Sequence, residues 1–247
     1  MMATAARGAT IDPGEASQVG GRTLEVFAET PRLNDWLFSK LAGAVRGEVL
    51  EIGSGIGNLS RLIAARADRL VATDMEPHYL RALRELFAGD ARVDVLAYDL
   101  DGPAPPAIAA RRFDAIMAVN VIEHIRDDQA LVRTLAGLLR PGGSLLVYVP
   151  ACPLAYGHLD RALGHHRRYT PATLTALLGG AGLSVEPPRY MNLLGLIGWI
   201  TNGRLFRRKL ISPSQLALFE RLVPILRLED QVRLPVGLGL HVRATKP

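Results

Sequence analysis

Residues 49–58 run Val49-Leu50-Glu51-Ile52-Gly53-Ser54-Gly55-Ile56-Gly57-Asn58, an apolar stretch that breaks into three glycines at alternate positions. No other pattern in the chain narrows its fold as far. The residues up to Ile52 suit a buried strand, and the glycines end it in a turn with almost no side chains. A helix starting near Leu59 then presents unbonded backbone N–H groups to whatever lies over that turn. The spacing also separates two classes of nucleotide ligand. The dinucleotide fingerprint G-x-G-x-x-G requires glycine at position 58, where this chain has Asn58.

The strand-then-turn pattern recurs. Leu70-Val71-Ala72-Thr73 ends in Asp74, twenty-one residues after Gly53. A carboxylate at that strand tip can accept hydrogen bonds from both hydroxyls of a ribose. Val93–Ala97 reads as a third strand, followed by Tyr98-Asp99-Leu100. Phe113–Val119 reads as a fourth and runs into Asn120-Val121-Ile122-Glu123-His124. Leu139-Arg140-Pro141-Gly142-Gly143 stops a helix and feeds a fifth strand, Ser144–Pro150. Helices are expected over 59–67, 76–87 and 127–139, so strands and helices alternate as in a parallel α/β sheet. Each chemistry-bearing residue falls at a strand's carboxyl end, where open α/β sheets bind ligands.

The pieces E-x-G-x-G-x-G, N-V-I-E-H-I and L-R-P-G-G-S-L-L, spread over residues 49–150, resemble the motifs of class I S-adenosylmethionine-dependent methyltransferases. The resemblance implies a Rossmann-like, doubly wound sheet of seven strands with helices on both faces. That sheet is mostly parallel, with its last strand antiparallel. It implies S-adenosyl-L-methionine as cofactor. Glu51, Gly53, Ser54 and Gly55 would then face the methionine portion, and Asp74 and Met75 the ribose. Asp99 and Leu100 would bracket the adenine, and Asn120 and Val121 would lie beside the sulfonium.

Composition sets the remaining bounds. The 247 residues, 49% hydrophobic and 21% charged, suffice for a buried core. One cysteine, Cys152, excludes an internal disulfide framework, and no Cys/His array has zinc spacing. Glu123 with Asp99 or Asp101 lacks a compact acidic pair, so no metal is expected. The net charge of +5 comes from scattered arginines without interleaved aromatics, which disfavours nucleic acid as partner. Met1–Ser17 has no apolar core of a signal peptide, and residues 1–30 are read as a flexible tail. The longest apolar run, Leu193–Ile200, is far short of the ~20 residues needed to span a bilayer. A cytoplasmic enzyme is expected, with peripheral membrane contact left open.

Residues 31–247 then form the methyltransferase domain, interrupted by an insertion over 190–234. About 45 residues separate the sixth strand, near Leu183–Val185, from the seventh, Leu238–Ala244. The insertion holds a helix announced by Ser212, Pro213 and Gln215. It is either a lid on the substrate side, or a dimerisation element or edge cover. Its apolar start and the nearby Arg204, Arg207, Arg208 and Lys209 suit a hydrophobic or anionic small-molecule acceptor.

Methyl transfer from a sulfonium is an in-line displacement, in which alignment, water exclusion and a base are the protein's tools. His124 and His165 are the candidate bases. His165 lies in G-H-H-R-R-Y-T, a segment similar to one in a bacterial subgroup of the family, with His166 where an aromatic is expected. His124 is alternatively a helix-packing residue. Arg167 and Arg168 either clamp an anionic acceptor or pair with surface carboxylates. The leading expectation is O-methylation. A non-methylating cofactor-binding protein of the same fold and an NAD-dependent oxidoreductase are the alternatives.

Overall fold

The computed structural model describes residues 30–206, 208 and 212–247. The expected tail, up to residue 29, and Arg207 and Lys209 of the basic cluster lie outside the described residues. Strands β1 (Glu48–Ile52), β2 (Arg69–Asp74), β3 (Val93–Ala97), β4 (Phe113–Val119) and β5 (Leu139–Pro150) pair in parallel in the order β3-β2-β1-β4-β5. Order reverses between β1 and β4, which opens a crevice above the carboxyl ends of those two strands. β5 begins at Leu139, five residues earlier than expected. Leu139 pairs with Phe113 before a register shift carries the chain past Pro141-Gly142-Gly143.

Side-chain alternation gives the sheet two apolar faces. Ile116 and Ala118 of β4 point to a core shared with α5 (Asp128–Leu138) and α7 (Pro171–Gly180), through Leu131, Leu135, Leu174 and Leu178. Ala115 and Met117 point the other way. There they meet Trp36 of α1 (Pro31–Ser39), Ile63 of α2 (Ser60–Ala64) and Leu83 of α3 (Pro77–Leu86). Asp127 caps α5 by accepting from the Ala130 N–H at 2.9 Å. A short helix, α4 (Pro106–Ala109), precedes β4.

Beyond β5 the sheet turns antiparallel. β8 (Gly239–Thr245) pairs with β5, and its other edge carries two short strands, β6 (Ser184–Val185) and β7 (Arg189–Met191). Among the described residues the sheet thus has eight strands, one more than the expected seven. Pro187 and Pro188, which have no N–H to give, interrupt what is otherwise one edge strand.

The insertion divides in two. α8 (Leu193–Ile200) packs with Ala155 and with Leu159 of α6 (His158–Ala162), at the carboxyl end of β5. α9 (Pro213–Leu226) instead lies against α1. Its Glu220 carboxylate accepts from the Arg32 and Leu33 N–H groups at 2.6 and 3.1 Å, at the positive end of the α1 dipole.

His241, on β8 between Tyr148 of β5 and Arg189 of β7, carries a stability signature. Burial, with Lys40 and Arg189 adding to it, pushes its pKa down to about 4. The unfolded chain protonates this imidazole near the ordinary value of about 6.5. Stability is therefore full above pH 6.5 and is lost as pH falls towards 4, by about 3 kcal/mol at the limit. His241→Gln should flatten that limb in denaturant unfolding at pH 4.5 against pH 7. An unchanged pH slope would show that the imidazole is not held neutral.

Candidate active site

Above the switch point, Glu51 organises the glycine turn. Its Oε2 accepts from Ser54 Oγ at 2.8 Å and from Ser60 Oγ at 2.5 Å. The Thr73 N–H donates to Ser54 Oγ, and Thr73 Oγ1 to the Glu51 carbonyl, so turn, helix α2 and strand β2 are tied together. Burial raises the Glu51 pKa to about 7 against the two serine hydrogen bonds, and the charge on Asp74 adds to the rise. Asp74 Oδ2 accepts from the Gly55 N–H at 2.8 Å, and Oδ1 from the Glu76 N–H at 3.0 Å. Each carboxylate oxygen keeps a further lone pair for a ligand hydroxyl.

The other sequence-assigned residues follow the carboxyl ends of β2, β3 and β4. Met75, beside Asp74, is 60% exposed although apolar. Asp99 is exposed and accepts from the Asp101 N–H, while Leu100 is half-buried against the core. Asn120 sits at φ 52° and is exposed, its N–H donating to the Tyr148 carbonyl at 2.8 Å. Val121 lies under Gly53. A Cβ at Gly53 would stand 2.5 Å from Val121 Cγ2, and its φ of +65° is already one that favours glycine.

A second group of residues follows directly from Val121. Glu123 and His124 occupy a 3-10 turn (Ile122–His124) at the end of β4. Asp160 comes from α6, His165 and Arg168 from the segment after it, and Trp199 from α8. Asp160 Oδ1 accepts from Arg168 Nε at 2.7 Å and bonds His165 Nδ1 at 3.1 Å. Asp160 Oδ2 accepts from the Gly157 N–H at 2.9 Å and from Trp199 Nε1 at 3.1 Å. The Arg168 guanidinium, fully buried, stacks 4.8 Å from the Trp199 ring centre. His124 and His165 meet edge to face at 4.7 Å, and His165 Nε2 lies 3.9 Å from Glu123 Oε1.

Burial sets the charge states here. Burial opposes ionisation of Asp160, but the hydrogen bond from His165 and the charge on Arg168 outweigh it and lower its pKa. Burial lowers His165 despite Asp160. It pushes His124 down to about 3, with His165 and His166 adding to the effect, and Glu123 up to about 8. Both imidazoles are thus neutral at pH 7, with Asp160 ionised. Because an ionised Asp160 only accepts, the His165 proton sits on Nδ1 and the Nε2 lone pair faces the cluster.

A family model described as a methyltransferase domain matches residues 50–145. A Mycolicibacterium smegmatis protein, named a probable S-adenosylmethionine-dependent methyltransferase, is 32% identical over 181 residues, which are 70% of this chain and 68% of the relative. The chain belongs to the S-adenosylmethionine-dependent methyltransferases.

The ubiquinone biosynthesis O-methyltransferase of Xanthomonas axonopodis pv. citri is 30% identical over 152 residues, 56% of this methyltransferase. The match spans 63% of that relative, less than two thirds of its length. In fold, this methyltransferase is similar to the S-adenosylmethionine-dependent methyltransferase of Mesorhizobium loti. The TM-score is 0.58 at 18% identity, covering 85% of this chain and 95% of the other.

The methyltransferase carries its sequence-assigned residues in two adjoining groups, the glycine turn with Asp74 and the cluster around His124 and His165. One reading of the arginines is corrected. Arg167 pairs with Asp128 near the surface at 2.6 Å, but Arg168 is buried on Asp160 rather than spent on a surface carboxylate. Asp160 escapes sequence reasoning altogether, and Trp199 reads in the sequence only as one of the apolar residues of the insertion that suit a hydrophobic acceptor, with no link to Asp160. Trp199 stands 39 positions from Asp160, in the insertion.

Gly53→Ala should weaken S-adenosylmethionine binding more than tenfold in calorimetry, because the turn must shift to clear Val121. Unchanged affinity would show that the turn does not shape the cofactor site.

Proposed function

We propose that this methyltransferase moves the methyl group of S-adenosylmethionine to a hydroxyl oxygen of a small, largely apolar molecule. The observation that carries the reading is the direct succession from Val121, packed under the cofactor turn, to Glu123 and His124, which meet His165. A neutral imidazole thus stands one turn from the crevice where the sulfonium would lie. Relatives whose names include O-methyltransferase support oxygen as the acceptor atom.

The cofactor supplies an electrophilic methyl, and the chain's residues do the rest. Glu51, Gly53, Ser54 and Gly55 shape the pocket for the methionine end, Asp74 takes the ribose, and Met75, Asp99 and Leu100 flank the base. Asn120 and Val121 lie along the path of transfer. His165, oriented by Asp160 as a triad base is oriented by its carboxylate, takes the acceptor proton on Nε2. His124 stands beside it. α8, whose eight residues carry no charge, roofs this end with Trp199 facing inward, and we read it as the water-excluding part of the insertion. Ile197, 56% exposed on its outer side, suits an apolar acceptor or membrane face.

No helix among the described residues is long and apolar enough to cross a membrane. The reading places the enzyme in the cytoplasm, where the single free Cys152 stays reduced.

The test is transfer of labelled methyl from S-adenosylmethionine to a panel of phenols, catechols, long-chain alcohols and amines. Labelled ether products support the reading. Cofactor binding with no transfer to any oxygen acceptor would favour a non-methylating role.

A further inference from the structure

Glu123 is the least explained side chain in the molecule. It has no exposed surface, yet neither carboxylate oxygen has a hydrogen-bond partner. A carboxyl group buried in that way forfeits several kcal/mol of solvation unless something compensates it. Arg168 is the obvious compensator and does not fill the role, because its own Nη2 is also buried without a partner. The nearest groups aimed at Glu123 are imidazoles. One ligand atom each from Glu123, His124 and His165 lie within 4.8 Å of one another.

His165 is already anchored through its other nitrogen, with Nδ1 bonded to Asp160 Oδ1 at 3.1 Å, and the His124 ring is set edge to face against it at 4.7 Å. A backbone carbonyl or carboxylate holding the far nitrogen is the outer-shell arrangement of metal-bound histidines, since it fixes ring orientation and leaves one lone pair directed inward. We infer that Glu123, His124 and His165 form a three-ligand site for a divalent transition metal of the zinc type. A bound ion would take the His165 Nε2 lone pair and so stand in for the imidazole base, with a remaining coordination position that acidifies the acceptor's hydroxyl oxygen. The metal site stands on these contacts alone, and only the ion's part in the reaction rests on the proposed methyl transfer. It reverses the expectation of no metal, which considered Glu123 only with Asp99 or Asp101.

Two histidines and one carboxylate are a familiar donor set for zinc with an open position. Donors about 2.0–2.2 Å from a common ion stand roughly 3.3 Å apart, so the three side chains must close by up to about 1.5 Å. Three further groups act on the cluster. Arg168 opposes a cation, Asp160 offsets it through their 2.7 Å bond, and His166 lies exposed at the rim with only its backbone N–H bonded, to the Glu123 carbonyl. His124 is only half-buried, so the site has an open side.

The experiment uses the full chain after exhaustive chelation, titrated with Co2+ and followed by visible absorption. Bound Zn2+ is counted separately by atomic emission after equilibrium dialysis. One equivalent per chain is expected, with a visible spectrum of low-coordinate Co2+. Glu123→Gln and His165→Asn, both close in shape to the native residues, should each weaken binding at least 100-fold, and His166→Asn should leave it unchanged.

Failure to bind a stoichiometric ion would overturn the site without any variant being needed. So would Co2+ binding that ignores both Glu123→Gln and His165→Asn. Calorimetry with S-adenosylmethionine on the same samples keeps the two proposals apart. A chain that binds cofactor and transfers methyl at full rate after chelation retains the methyltransferase reading and loses the acceptor-holding ion.

Discussion

Replacing His165 by asparagine is expected to lower methyl transfer by about 10²–10⁴-fold while leaving S-adenosylmethionine affinity within about twofold. The partners of its ring are Asp160, Glu123, His124 and Trp199, none of which belongs to the glycine turn. Asparagine can keep the bond to Asp160 but has no basic nitrogen, so the loss falls on kcat rather than on cofactor binding. The pH profile should change as well, with the limb that reports protonation of the imidazole disappearing from the residual activity. A variant that loses cofactor affinity in proportion to rate would instead assign His165 to the fold of the cofactor site.

Asp160→Ala should have the largest effect on stability, about 3–5 kcal/mol. Its carboxylate takes four bonds, from the Gly157 N–H, Trp199, His165 and Arg168, and none of these partners is exposed enough to turn to water. Removing it leaves the Arg168 guanidinium buried with one remaining hydrogen bond, to the Ala151 carbonyl. A fall of roughly 10 °C in the thermal midpoint follows for a chain of this size. The pair also predicts its own rescue. Arg168→Met in the Asp160→Ala background should recover part of the loss, since it removes the orphaned charge. Equal or additive destabilisation by the second substitution would show that the ion pair is not the reason the region holds together.

The contrast between the two halves of the site explains what was legible in the sequence. The glycine turn, Asp74, Asp99 and Asn120 are each set by one strand end, and strand ends announce themselves through an apolar run broken by glycine or a carboxylate. Strand order follows from alternation, because each β–α–β step is local. The sixth strand was legible near Leu183–Val185, but Arg189–Met191 was hidden because three residues after two prolines are too few to show a period, and its place is defined only by pairing with β8.

The histidine cluster was half visible. His124 and His165 stand out by residue type, but nothing in the order of residues brings Glu123 to His165, or Trp199 across 39 positions to Asp160. The signal available was the capped start of α6. There Asp160 bonds back to the Gly157 N–H, and that pattern reads as helix capping rather than as the hub of a buried network.

Direct titration of the purified chain with S-adenosylmethionine, S-adenosylhomocysteine and NAD, on wild type and on Asp74→Ala, bears most closely on the central claim. One equivalent of each sulfur nucleoside should bind, NAD should give no heat of binding, and Asp74→Ala should weaken the sulfur nucleosides by about 100-fold. Saturable NAD binding at the same turn, or no heat from either sulfur nucleoside, would contradict it.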